Sequence, residues 1–289
     1  MTWRFLDGGW ATGARQMAVD DALLTLCGRG QCPPTLRLFG FRPACLSLGR
    51  FQSADQVSRL SGLDLVRRPT GGGAVVHRGD VCYSIVLPLS HPLAAGSIVE
   101  SYQRLARGLA VGLEALGLPP LATATAARSS QGSGWCFEAI AAHELALAGR
   151  KLVGSAQARR GGALLQQGSI PALGGPEPAE AAQATPIRAT SLQEALGRPV
   201  SWDELAEALI RGFGRAWGIE IRRGELSADE EELAHRLERE RYADPGGFAP
   251  GSTPASALNR NYLYEWPWQA LLPMSSPRQR ADSDRSTRR

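Results

Sequence analysis

Three consecutive glycines, Gly71-Gly72-Gly73, stand between strand-like runs and constrain this chain more than any other feature. Residues 64–67, 74–77 and 81–87 read as strands, and the glycines between the first two permit positive φ in the turn that joins them. Such a turn lets backbone N–H groups approach a ligand closely. Arg67 and Arg68, just before Pro69-Thr70, add positive charge suited to a phosphate-bearing group. The spacing is neither a P-loop nor a dinucleotide fingerprint, because the required glycine spacing and terminal Lys-Ser/Thr are missing. On its own the segment reads either as a structural hairpin or as a binding loop.

The flanking pattern mixes helices with short strands. Residues 16–26 carry apolar side chains at loosely helical spacing, and 35–39 and 45–48 read as strands separated by Arg42-Pro43. Ser97 and Glu100 form a capping box that opens the clearest helix, with Ile98, Tyr102, Leu105, Leu109, Leu113 and Leu116 on its apolar face and Gly117 at its end. Residues 136–166 read as strands broken at Gly149 and at Gly161-Gly162. Ser191/Glu194, Ser201/Glu204 and Ser227/Glu230 open three further helices, and residues 119–134 and 172–186 read as low-order connections. Strands followed by helices predict an α+β architecture. The expected organisation is a catalytic domain over 1–243 and a Pro/Gly-rich extension over 244–289, its last ~15 residues too poor in apolar side chains to fold.

Composition narrows the function classes. The longest apolar run falls far short of the ~20 residues of a membrane span, and the first residues carry no apolar signal core. Five scattered cysteines, without paired metal-ligand spacing, predict a reducing cytosol and no metal site. Cys27 and Cys32 read as small buried hydrophobes. The net charge of +4 comes from dispersed arginines rather than a basic, aromatic-lined stripe, which suits an acidic protein partner better than nucleic acid.

Of 32 lysines and arginines only Lys151 is a lysine. Arginine does not deprotonate in a protein, whereas a buried lysine can, so this position is a candidate for proton transfer. Gly149-Arg150 reads as a hairpin turn, with Lys151 opening the next strand. Gly154, Ser155 and Ala156, followed by Gln157, are small enough for backbone donors to face a bound carbonyl. Gln166-Gln167-Gly168-Ser169 is a downstream partner segment. Cys136, beside a glycine-rich stretch, is the candidate nucleophile, against the plainer reading of a core cysteine.

These segments together resemble the lipoate–protein ligase A/B superfamily. Residues 67–77 look like its RRPTGGGxVxH segment, 150–157 like its lysine loop, and 165–169 like its LQHGS strand. The opening region, ending in Met17-Ala18-Val19-Asp20, is similar as well, so the resemblance covers roughly residues 3–242. Cys136-Phe137, fifteen residues before Lys151, resembles the CF element of the LipM-type octanoyltransferases. Gln167 departs from the family, which has histidine there. The resemblance implies a mixed, largely antiparallel sheet flanked by helices, as in biotin/lipoate ligase catalytic domains. It also implies a cytoplasmic, monomeric acyltransferase that needs no cofactor. Its donor would be octanoyl-acyl carrier protein and its acceptor a lipoyl domain or glycine-cleavage H-type protein. Cys136 would carry the acyl group and Lys151 the proton. The substrate would lie against Arg68, Thr70, Gly71, Gly72, Gly73, Val75, Val76, Gly154, Ser155, Ala156, Gln157 and Gly168, with His77 packed beneath. The closest rival is a ligase using ATP and Mg2+ to form an acyl-adenylate, with Arg67 and Arg68 near phosphate and no use for Cys136. An amidotransferase using the same cysteine, and a non-catalytic module binding lipoyl proteins, are further alternatives.

Overall fold

The computed structural model describes residues 1–52, 63–123, 144–172 and 189–243. The chain divides into a compact unit, Met1–Gly247, and a second, Phe248–Arg289, which lies outside the described residues. In chain order the elements are β1 (Thr2–Ala11), α1 (Gly13–Gly28), β2 (Thr35–Phe41), β3 (Cys45–Leu48), β4 (Asp64–Arg67), β5 (Val75–His77), β6 (Val81–Pro88) and α2 (Ile98–Glu114). They continue with β7 (Ala122–Thr123), β8 (Leu145–Leu147), β9 (Arg150–Arg160), β10 (Ala163–Ile170), α3 (Leu192–Leu196), α4 (Trp202–Trp217), β11 (Glu220–Gly224) and α5 (Ala228–Leu237). A π-helical turn, Glu238–Tyr242, follows.

The large sheet runs β11-β1-β2-β6-β10-β9-β8-β7, and a small one runs β4-β3-β5. Only β11–β1 and β1–β2 pair in parallel in the large sheet, so it is mixed and largely antiparallel, as expected. Alternation along the strands separates two apolar layers. Val81, Tyr83, Ile85 and Leu87 of β6 face a core completed by Leu105, Leu109 and Leu113 of α2 and by Leu205, Leu209 and Phe213 of α4. Val86, with Ala163 and Leu165 of β10, faces Val19, Leu23 and Cys27 of α1 and Leu233 of α5. Each fully buried leucine contributes about 2 kcal/mol of transfer free energy.

The α2 helix begins where the sequence places it. Ser97 Oγ accepts the Glu100 N–H (3.2 Å) and Glu100 accepts the Ser97 N–H (2.8 Å). The same reciprocal box opens α5 at Ser227 and Glu230. At α3 and α4 the serines cap, but the glutamates turn elsewhere. Glu194 binds Arg150 (2.6 Å) and Glu204 binds Arg198 (2.7 Å), because a guanidinium within reach outcompetes a backbone N–H. Three strands were not expected from the sequence: β1, the edge strand β11, and β7, a two-residue strand inside the stretch 119–134 read as a connection, formed by pairing with β8.

Candidate active site

The glycine loop is held in place by its own arginines. Gly72 has φ +89°, a conformation that favours glycine. A side-chain carbon at Gly49 would lie 1.8 Å from the Gly72 carbonyl oxygen, so two stretches of backbone touch there. Arg68 Nη2 donates to the carbonyls of Gly71 and Gly73 (2.9 Å each), and its Nη1 to the Ser47 carbonyl and hydroxyl (2.8 Å each). Arg67 Nη1 donates to the carbonyls of Gly49 and Gln52. Both arginines therefore brace backbone. The reason is local: a tight glycine turn leaves carbonyls unpaired, and the nearest donors satisfy them.

Thr70 locks the loop to the large sheet. Its hydroxyl donates to Gln167 Oε1 (2.7 Å), and Gln167 Nε2 donates to Asp20 of α1 (2.6 Å). Asp20 also accepts from Arg37 (2.8 Å) and Ser84 (2.7 Å), all of them buried. Gln167 thus accepts with one end and donates with the other, as a neutral imidazole can. Gly72 comes up to Ala156 on β9. There Ser155 pairs with Gly168 and Ala156 with Gln167 across the ladder. Gly168 has no room for a side chain, since an added carbon would meet the Tyr83 ring at 2.3 Å. The structure therefore brings the glycine loop, through Thr70 and Gly72, against Gln167 and Ala156, whereas Ser155 and Gly168 face Tyr83. β8 pairs with β9 only as far as Val153, so from Gly154 onward the outer edge of β9 carries no strand among the described residues.

His77 and Val75 belong to β5 of the small sheet. His77 Nε2 is 2.7 Å from Ser47 Oγ, and its Nδ1 is 2.7 Å from Asp80 Oδ2. Burial alone would push the Asp80 carboxyl up, but His77 and hydrogen bonds from His77, Ser169 and Cys82 hold it below the usual carboxylate range. Burial, then Asp80, pushes the Cys82 thiol well up, so it is no nucleophile. His77, Asp80 and Cys82 are the one grouping among the described residues that could ligate a metal. Asp80 Oδ2 is already engaged by three donors, which makes the group a hydrogen-bonded knot under the loop. On the opposite face of β9, Ser155 Oγ meets Tyr83 OH (2.6 Å), while Gln157 accepts from Ser101 of α2 (3.1 Å).

Lys151 opens β9, three residues before Gly154. Its Nζ lies 2.8 Å from Glu144 Oε1, with 1% and 3% of the two side chains exposed. Its carbonyl accepts the Thr190 N–H (2.9 Å), so residues 189–194 clamp the strand start. Glu144 was not anticipated. The available signal was its place just before the short apolar strand β8, two residues before Ala146, the register partner of Lys151. A buried ion pair of this kind typically costs about 3–5 kcal/mol to break by removing one member. Cys136 lies outside the described residues.

The mixed sheet thus offers a braced glycine loop, a β9 edge that carries no strand among the described residues from Gly154 onward, and one buried lysine. Residues 12–214 match the lipoyl protein ligase A/B catalytic domain, and the chain belongs to that family. Similar relatives are proteins named octanoyltransferase LipM. That of Symbiobacterium thermophilum is 40% identical over 264 residues, 83% of this chain and 95% of its own. That of Kyrpidia tusciae is 39% identical over 84% of this chain and 97% of its own. In fold the chain is similar to lipoate-protein ligase A bound with ATP, at TM-score 0.66 and 24% identity, covering 86% of this chain and all of that one. It is also similar to a bi-partite lipoate protein ligase from Thermoplasma acidophilum, at TM-score 0.63 and 24% identity over 86% of this chain and 98% of that one.

Proposed function

We propose that this chain is a LipM-type octanoyltransferase. It would move octanoyl from acyl carrier protein to the lysine of a lipoyl domain or glycine-cleavage H-type protein through Cys136 and Lys151, without a cofactor. The observation that carries the reading is the buried Lys151–Glu144 pair in a chain with no other lysine. The pair favours Lys151 as the ammonium at rest, where it would stabilise Cys136 as the thiolate; an unassisted thiol, with pKa about 8.5, is mostly protonated at pH 7.

The steps balance on that basis. The Cys136 thiolate attacks the thioester carbonyl, and backbone N–H groups of residues 154–157 hold the oxyanion. Collapse breaks the bond to the carrier's sulfur, which takes a proton from Lys151. The neutral amine then receives the proton of the acceptor lysine as that nitrogen attacks acyl-Cys136. The C–N bond forms, the C–S bond breaks, and ammonium and thiolate are restored. Thioester exchange is nearly isoenergetic and amide formation is downhill, so no ATP is needed. The engagement of Arg67 and Arg68 with backbone carbonyls weighs against the adenylate-forming rival.

The test is transfer from octanoyl-acyl carrier protein to a lipoyl domain without ATP. Lys151→Arg keeps the charge and cannot release the proton, so the rate should fall at least about 100-fold. Wild-type rates in that variant, or modification that requires ATP and free octanoate, would sink the reading.

A further inference from the structure

Lys151 is held on both sides of its strand. Toward β8, Leu147 pairs with Arg150 across a two-residue turn, Ala148-Gly149, whose φ angles are +48° and +76°. Two positive φ angles match the tight turn that suits the twist of a hairpin, and Ala148 is the one non-glycine residue to adopt such an angle among the described residues. The turn sets Ala146 opposite Lys151, after which the register shifts so that Leu145 faces Val153. On the far side, Lys151 bridges to Ala189, and its carbonyl accepts the Thr190 N–H (2.9 Å). The backbone is therefore fixed, and the side chain ends 2.8 Å from Glu144 Oε1 with both groups buried.

This carboxylate bears differently on the two half-reactions of acyl transfer. In the first, the leaving group is a thiol, which ionises readily and leaves with little help. In the second, the acceptor lysine arrives as an ammonium, with an ordinary pKa of about 10.4, and its nitrogen attacks only after losing a proton. Lys151 has the same ordinary pKa, so two equivalent amines then share the site. A carboxylate beside one of them favours the charged form there and leaves the other neutral. Glu144 stands beside Lys151.

We propose that Glu144 is a positioning residue for the second half-reaction: it keeps the proton on Lys151 and so leaves the acceptor nitrogen free to attack the acyl group. This deepens, and rests on, the reading of the chain as a transferase with an acyl-Cys136 intermediate. Of the two protons that the acceptor ammonium sheds, the first passes to Lys151 Nζ and the second to solvent as the C–N bond forms. The C–S bond breaks, and its electron pair returns to the Cys136 sulfur.

The experiment separates the half-reactions in the full chain by intact-protein mass spectrometry. Octanoyl-acyl carrier protein loads the enzyme, and the adduct is then discharged either by a lipoyl domain or by hydroxylamine, an amine already neutral at pH 7. Glu144→Gln should still form the adduct, which also reports that it folds. Its discharge by the lipoyl domain should fall about 100-fold, the low end of what a positioned proton-transfer group contributes, while discharge by hydroxylamine is unchanged. Glu144→Asp, which keeps the charge, should recover part of the loss. Equal losses with both nucleophiles, no loss with either, or failure of Glu144→Gln to form the adduct would overturn the proposal. So would a Glu144→Asp variant no faster than Glu144→Gln. Absence of an adduct on the unaltered chain would instead overturn the transferase reading, and this proposal with it.

Discussion

Asp80 sits where three donors meet, and each favours its charge. His77, Ser169 and Cys82 reach Oδ2, while Oδ1 is buried without a hydrogen-bond partner among the described residues. Its folded pKa is depressed despite burial, so its contribution is complete above the unfolded value, about 4, and is lost as pH falls through the lower folded value. Asp80→Asn should cost about 1–3 kcal/mol at pH 7, and the gap to wild type should shrink below about pH 4. Urea unfolding at pH 7, 5 and 3 measures this; a gap constant from pH 7 to 3 would contradict it. At this scale the sequence exposed the unusual residues and concealed their partners. Lys151 stood out by type and His77 by motif. Glu144, Ser47 and Asp20 are ordinary residues in the sequence, and only the register across β8–β9, the small sheet and the α1 packing brings them to their partners.

The α2 and α4 helices approach most closely at glycines. A carbon added at Gly212 would lie 2.4 Å from the Gly112 nitrogen and 2.6 Å from the Gly108 carbonyl oxygen. Helix propensity alone would make Gly212→Ala stabilising by about 1 kcal/mol. The close approach reverses the sign, and we expect a loss of about 1–3 kcal/mol in chemical denaturation. An unchanged or raised stability would show that the helices part at no cost. Local signals fixed other elements well: β3 and β4 coincide with the expected strands, and α2 starts at its capping box. β1 was missed because Gly8-Gly9 interrupts its alternation, and β11 because its mostly exposed residues alternate weakly. Both join the sheet in parallel, a pairing of residues more than 200 apart for β1 and β11 that no local pattern reveals.

Across the whole molecule, the proposed chemistry depends on two sheets meeting. The small sheet presents the glycine loop and its His77–Asp80 support, and the large sheet presents Lys151 and the edge of β9. The Thr70–Gln167–Asp20 chain fastens one to the other. None of these contacts was legible from spacing, although the three motif segments that supply most of them were. The central claim is that this assembly serves an acyl group carried on Cys136. Intact-protein mass spectrometry after mixing the full chain with octanoyl-acyl carrier protein, without ATP, tests it most directly. The account predicts a hydroxylamine-sensitive octanoyl adduct on the unaltered chain and none on Cys136→Ser. No adduct on the unaltered chain, with lipoyl-domain modification that needs ATP and free octanoate, would contradict it.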